Sequence, residues 1–168
     1  MRRILLLSLF LTFLISTLNG QYMRQVGLRS GYRGGLFYQA TSETGNAETG
    51  YIAMLGFNNN GMQLTGLRIV YETSLSDISP DLWFVWGYGA HAGFVVTDHL
   101  RYFGRRYNFG DERFCPLFGA DGWAAAEYRF REVPVVVNLN VKPFIELTIP
   151  GFVRLIPFDM GISVSYAF

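Results

Sequence analysis

The chain has 168 residues, half of them hydrophobic and 17% aromatic, with only 16% charged, a balance that excludes a disordered chain. The formal net charge of +1 excludes a nucleic-acid binder that works by bulk positive charge. One cysteine, Cys115, excludes an intrachain disulfide framework and a cysteine-based zinc site.

Residues 1–20 have the layout of a secretory signal peptide. Arg2 and Arg3 precede an apolar run from Ile4 to Ile15, and Ser16 to Gly20 form a small, polar tail. The run is shorter than the roughly 20 apolar residues of a membrane-spanning helix. Cleavage is expected near Gly20/Gln21. Losing the two arginines takes the net charge from +1 to −1. Residues 21–168 are then expected to form one β-barrel domain.

The rest of the chain alternates with a period of two rather than 3.6. Segments 22–32, 34–42 and 47–57 carry the pattern weakly. In 62–72, Leu67, Ile69 and Tyr71 oppose Arg68 and Glu72. In 82–96, Leu82, Phe84, Trp86, Tyr88, Phe94 and Val96 oppose Gly87, Gly89, His91 and Gly93. In 121–130, Tyr128 and Phe130 oppose Asp121, Glu127 and Arg129. In 135–147, Val135, Val137, Leu139, Val141, Ile145 and Leu147 oppose Asn138, Asn140, Lys142 and Glu146. The last segment sets Met160, Ile162, Val164, Tyr166 and Phe168 against Asp159, Gly161, Ser163, Ser165 and Ala167. Eight strands and no helix predict an all-β, eight-stranded antiparallel up-and-down transmembrane barrel, with apolar residues facing lipid.

Two regularities support this. If the first strand runs outward, the two longest links, 97–120 and 148–157, both fall on the outer side, where long loops belong. Aromatic residues then gather at the inner ends of four strands: Tyr71, Phe84 with Trp86, Tyr128 with Phe130, and Tyr166 with Phe168. They are expected to form a girdle at the membrane interface. Pro143 falls near the outer rim, where a missing N–H is tolerated.

Several short runs carry a resemblance. They are Leu64-Thr-Gly-Leu67, Tyr88-Gly-Ala-His-Ala-Gly-Phe94, Ala120-Asp-Gly-Trp123, Ala126-Glu-Tyr-Arg-Phe130, Val133-Pro134, Asn138 to Phe144, and Gly161-Ile-Ser-Val-Ser-Tyr-Ala-Phe168. In that order, over residues 27–168, the chain resembles the small outer-membrane β-barrel proteins of Bacteroidota-type bacteria. The resemblance implies an outer-membrane location and an eight-stranded barrel, and no particular activity. The chain departs from it at segment 98–118 and at Trp123. Barrels of this kind commonly end in an aromatic residue, so Tyr166 and Phe168 are expected to be read by the barrel-assembly machinery.

On the polar face, Arg29, Arg68, Glu72, His91, Asp121, Glu127, Arg129, Lys142, Glu146 and Asp159 are expected to point into the lumen. Eight strands leave an interior just wide enough for side chains, so these groups are expected to pair as a sealing plug. A narrow ion path is the alternative. His91, with Ser163 and Ser165 on the same face, carries a second alternative, an enzyme acting on lipid A. Two histidines without metal-binding spacing give no metal motif, and no cofactor is expected. Arg101, Arg105, Arg106 and Arg113, interleaved with aromatics, suit the phosphates of lipopolysaccharide. A soluble lipocalin-like barrel is disfavoured, because it would put its apolar face inside. The expected protein is a monomeric, non-enzymatic outer-membrane barrel in contact with membrane lipids.

Overall fold

A computed structural model describes residues 24–168, apart from 45–46, 59, 73–74, 76, 103–104 and 150. The expected signal peptide, residues 1–20, lies outside the described residues. Among the described residues ten β-strands follow one another: β1 (Arg24–Arg29), β2 (Gly35–Thr44), β3 (Ala47–Asn58), β4 (Gly61–Glu72), β5 (Leu82–Tyr102), β6 (Arg105–Arg129), β7 (Val135–Val141), β8 (Phe144–Thr148), β9 (Phe152–Ile156) and β10 (Met160–Ala167). Each pairs antiparallel with its neighbours, and β1 pairs with β10, so the sheet closes. β7 with β8 makes one interrupted wall strand, and β9 with β10 makes another. The wall is therefore an eight-stranded up-and-down barrel, as the alternation predicts.

The interruptions at 142–143 and 157–159 face each other. The Lys142 N–H donates to the Asp159 carbonyl at 2.9 Å, and the Gly122 N–H donates to the Pro143 carbonyl at 2.8 Å. Proline has no N–H to give the ladder, so the strand breaks there. It breaks within the wall and not at its rim, because β8 continues the pairing with β6 beyond Pro143.

Segment 98–118 is not a loop. β5 and β6 continue their pairing from Val95 opposite Cys115 to Tyr102 opposite Arg105. Beyond Gly61, the last β4 residue paired with β5, they form a two-stranded arm. A register shift between Thr97 and His99 is accommodated by Gly110 at φ +86°, a left-handed conformation glycine adopts without a Cβ clash. Tyr107 and Phe109 rest near Phe152, with ring centroids 5.1 and 6.3 Å away. The expected link 148–157 likewise contains a strand, β9, paired with β8. Cys115 is buried in β6 rather than placed in a loop.

Alternation along the wall sends one set of side chains outward. Leu28 is 63%, Leu64 60% and Leu139 56% exposed. Tyr128, Phe130 and Phe168 are exposed at one end of the barrel, with Trp86 in the same band. Tyr71 does not join them. In β4 the faces are opposite to the expected ones: Leu67, Ile69 and Tyr71 are buried inside, and Arg68 and Glu72 are exposed outside. With Phe37, Ile52, Met54 and Val85 they form an apolar core along one side of the interior. The interior is thus half apolar, not wholly polar.

Candidate functional site

The other side of the interior holds buried charge in three tiers. Near the mouth that carries the arm, β5 supplies His91, β6 Asp121, β8 Glu146 and β9 Arg154, with Lys142 at the β7–β8 break and Arg33 from the β1–β2 link. Asp121 accepts from Lys142 Nζ at 2.6 Å, and its other oxygen lies 2.7 Å from His91 Nδ1. Glu146 accepts from Arg33 at 2.7 Å and from Arg154. His91 Nε2 lies 3.4 Å from Glu146, within ion-pair range but not aligned for a hydrogen bond. Gln63 accepts from Arg33 and donates to Thr65. The ring of Phe144 packs edge-on to His91 at 5.6 Å, with Lys142 Nζ 4.6 Å from its centre. Gly119 opposes His91 in register, and a Cβ there would stand 2.6 Å from the imidazole. Glycine at that position leaves room for the ring.

The middle tier joins the first and last wall strands. Arg29 donates to Asp159 Oδ2 at 3.1 Å, to its carbonyl at 2.9 Å and to Asn140 at 2.8 Å. The Tyr32 N–H donates to the other Asp159 oxygen at 2.7 Å. At the far end, Arg129 bridges Glu127 at 3.0 Å and Glu48 at 2.9 Å. It also lies over Tyr71 and Trp83, 4.7 and 5.0 Å from their ring centres. The Tyr71 hydroxyl donates to Glu127, and Gln39 donates to that hydroxyl.

Of the ten expected lumen residues, eight are brought together: Arg29, His91, Asp121, Glu127, Arg129, Lys142, Glu146 and Asp159. Arg68 and Glu72 are not, since β4 turns them outward. Arg33, Arg154 and Glu48 join the network without having been expected. Arg33 sits in a link and Arg154 in a segment read as a loop, so neither had a strand face to assign it. The signal for Arg154 was the alternation Phe152, Arg154, Ile156 against Val153, Leu155.

Chemically, these contacts tie together strands far apart in sequence and fill the bore. A mouth cavity of about 220 Å³ remains, lined by Tyr32, Arg33, Thr97, His99, Glu146 and Arg154 among others. Both His91 nitrogens face carboxylates. A histidine acting as a base for a nucleophile needs that hydroxyl within hydrogen-bond reach. Ser163 instead accepts from Asn140, and Ser165 donates to Gln25.

On the arm, Arg106 donates to Asn108 at 2.9 Å, and Arg113 lies over Phe109 at 5.3 Å. The side chains of Arg101 and Arg105 lie outside the described residues. His99, 2.5 Å from Asp98, holds that exposed carboxyl below its ordinary range through their hydrogen bond.

No protein-family model, curated protein or solved structure matches the chain.

Proposed function

We propose that this chain is a non-enzymatic outer-membrane β-barrel protein, similar to the small eight-stranded barrels of Bacteroidota-type bacteria. On this reading it is exported by a cleaved signal peptide and placed by the barrel-assembly machinery, with Tyr166 and Phe168 on the strand that is recognised. The observation that carries the reading is the inversion of the wall. Leucine, isoleucine and valine cover the outside, while ion pairs with side chains less than 6% exposed sit inside. Water outside would leave that band as an apolar patch far larger than monomeric soluble proteins carry. Lipid outside removes the difficulty. The start of β1, the end of β10, the facing ends of β2 and β3 and of β4 and β5, and the 130–134 link share one end of the barrel, which becomes the periplasmic end. The arm then stands on the cell surface, where Arg106 and Arg113 meet lipopolysaccharide phosphates.

The filled bore favours a sealed barrel over a pore. The test is membrane extraction followed by planar-bilayer recording. The protein is expected to stay with membranes in high salt and alkaline carbonate, to leave them in detergent, and to give no steady conductance. Release by salt alone would refute the membrane reading. An ohmic channel would refute the sealed interior.

A further inference from the structure

Arg68 stands on the outer face of the wall, level with Tyr51 of β3 and Tyr88 of β5 on the same face. Those tyrosines are 68% and 57% exposed. Among the described residues the Arg68 side chain has no hydrogen-bond or ion-pair partner. The nearest outward carboxylate on its strand, Glu72, is engaged by the Trp86 indole N–H at 2.8 Å. Trp86 pairs with Val70, two residues below Arg68 toward the periplasmic end. That spacing places Arg68 roughly 5 Å above the interfacial tryptophan, at a strand tilt of about 45°.

A lipid-facing cation is costly at the bilayer midplane and tolerated near the interface, where its stem lets the head reach phosphate. One row toward the midplane lies Gly66, between Ala53 and Ala90. A Cβ at Gly66 would meet nothing within 4 Å, so no packing inside the protein calls for glycine. Three small residues side by side make this row of the outer wall low, between Arg68 below and Leu64, 60% exposed, above.

We propose that Arg68, flanked by Tyr51 and Tyr88, binds the phosphate of an anionic phospholipid of the periplasmic leaflet, whose acyl chain rises over Gly66. The assignment rests on the membrane reading above. The cation has no partner among the described residues, it lies at phosphate-accessible depth, and the row of small residues above it lies in the direction the acyl chain takes.

Trp86 makes the site measurable, because it lies one row away on the outer face while Trp83 and Trp123 face the interior. The probe is fluorescence quenching of the full-length protein in phosphatidylcholine vesicles containing brominated phosphatidylglycerol, compared with brominated phosphatidylcholine. One arginine near a membrane surface corresponds to about a fivefold preference for the anionic lipid. Arg68→Gln is expected to abolish that preference and Arg68→Lys to retain most of it. Both variants should keep the heat-modifiable migration of a folded barrel. An equal preference in wild type and Arg68→Gln would overturn the site while leaving the membrane reading intact. Absence of quenching by either lipid in the wild type would overturn the membrane reading and the site with it.

Discussion

Removing the Glu146 carboxylate is expected to be among the most destabilising single changes in the barrel. Its side chain is fully buried and accepts from Arg33, whose side chain is only 5% exposed. Glu146→Ala leaves that guanidinium inside with Gln63 as its remaining acceptor. Breaking a buried pair in this way costs about 3–5 kcal/mol. Arg154 adds little, because its side chain is 30% exposed and it can turn to water; Arg154→Ala should cost less than about 1 kcal/mol. With a urea dependence of about 2 kcal/mol per molar, Glu146→Ala should lower the unfolding midpoint by about 2 M. Replacing both partners, Arg33→Met with Glu146→Leu, should recover most of the loss, since no charge is stranded. The assay is equilibrium unfolding from vesicles, followed by tryptophan fluorescence and by heat-modifiable migration. A Glu146→Ala midpoint equal to wild type would refute the reasoning, as would a double variant no better than the single one.

Three further outcomes are expected. Leu64→Arg, on the outer wall, should cost about 2–4 kcal/mol if it faces the bilayer midplane; unchanged folding into vesicles would contradict a lipid-facing wall. Cys115, 1% exposed, should resist maleimide in the folded protein and react once denatured, whereas rapid labelling of folded protein would show that β6 does not bury it. Trypsin added to intact cells should cut at Arg106 or Arg113 on the arm and spare Arg131, whose side chain is 66% exposed at the opposite end. Cleavage at Arg131 alone would invert the barrel.

The strand count and topology were legible because the later wall strands alternate cleanly and turn signals separate the weaker early segments 22–32, 34–42 and 47–57. β10 is the clearest case, with every second residue small or polar. In β4 the alternation was legible but not its sense. Met62, Leu64 and Val70 share one face, Leu67, Ile69 and Tyr71 the other, and the charges of Arg68 and Glu72 on the first face pointed to the wrong side. What decides the face is the neighbouring strand: Thr65 pairs with His91, so both must point inward, and that constraint is absent from the local sequence. The arm was misread for a different reason. Its many charged residues look like a loop, yet two strands that project past a barrel are wet on both sides and need no apolar face. Arg33 was hidden because a link residue has no period to place it, although its long side chain reaches back into the bore.

The Arg29–Asp159 contact has a consequence for how the barrel measures itself. The two residues are 130 positions apart, and they meet across the junction where the first strand closes on the last. Sliding β1 along β10 by two residues would keep every side chain on its proper face, so the alternating pattern alone permits the slip. It would also carry Arg29 roughly 7 Å from Asp159 and leave both charges buried and single. The stagger of the closed sheet, and with it the diameter of the barrel, is therefore held by this ionic clasp together with the Ser165–Gln25 hydrogen bond across the same junction. That clasp cannot engage until nearly the whole chain has been made, so closure is a late, long-range event in folding.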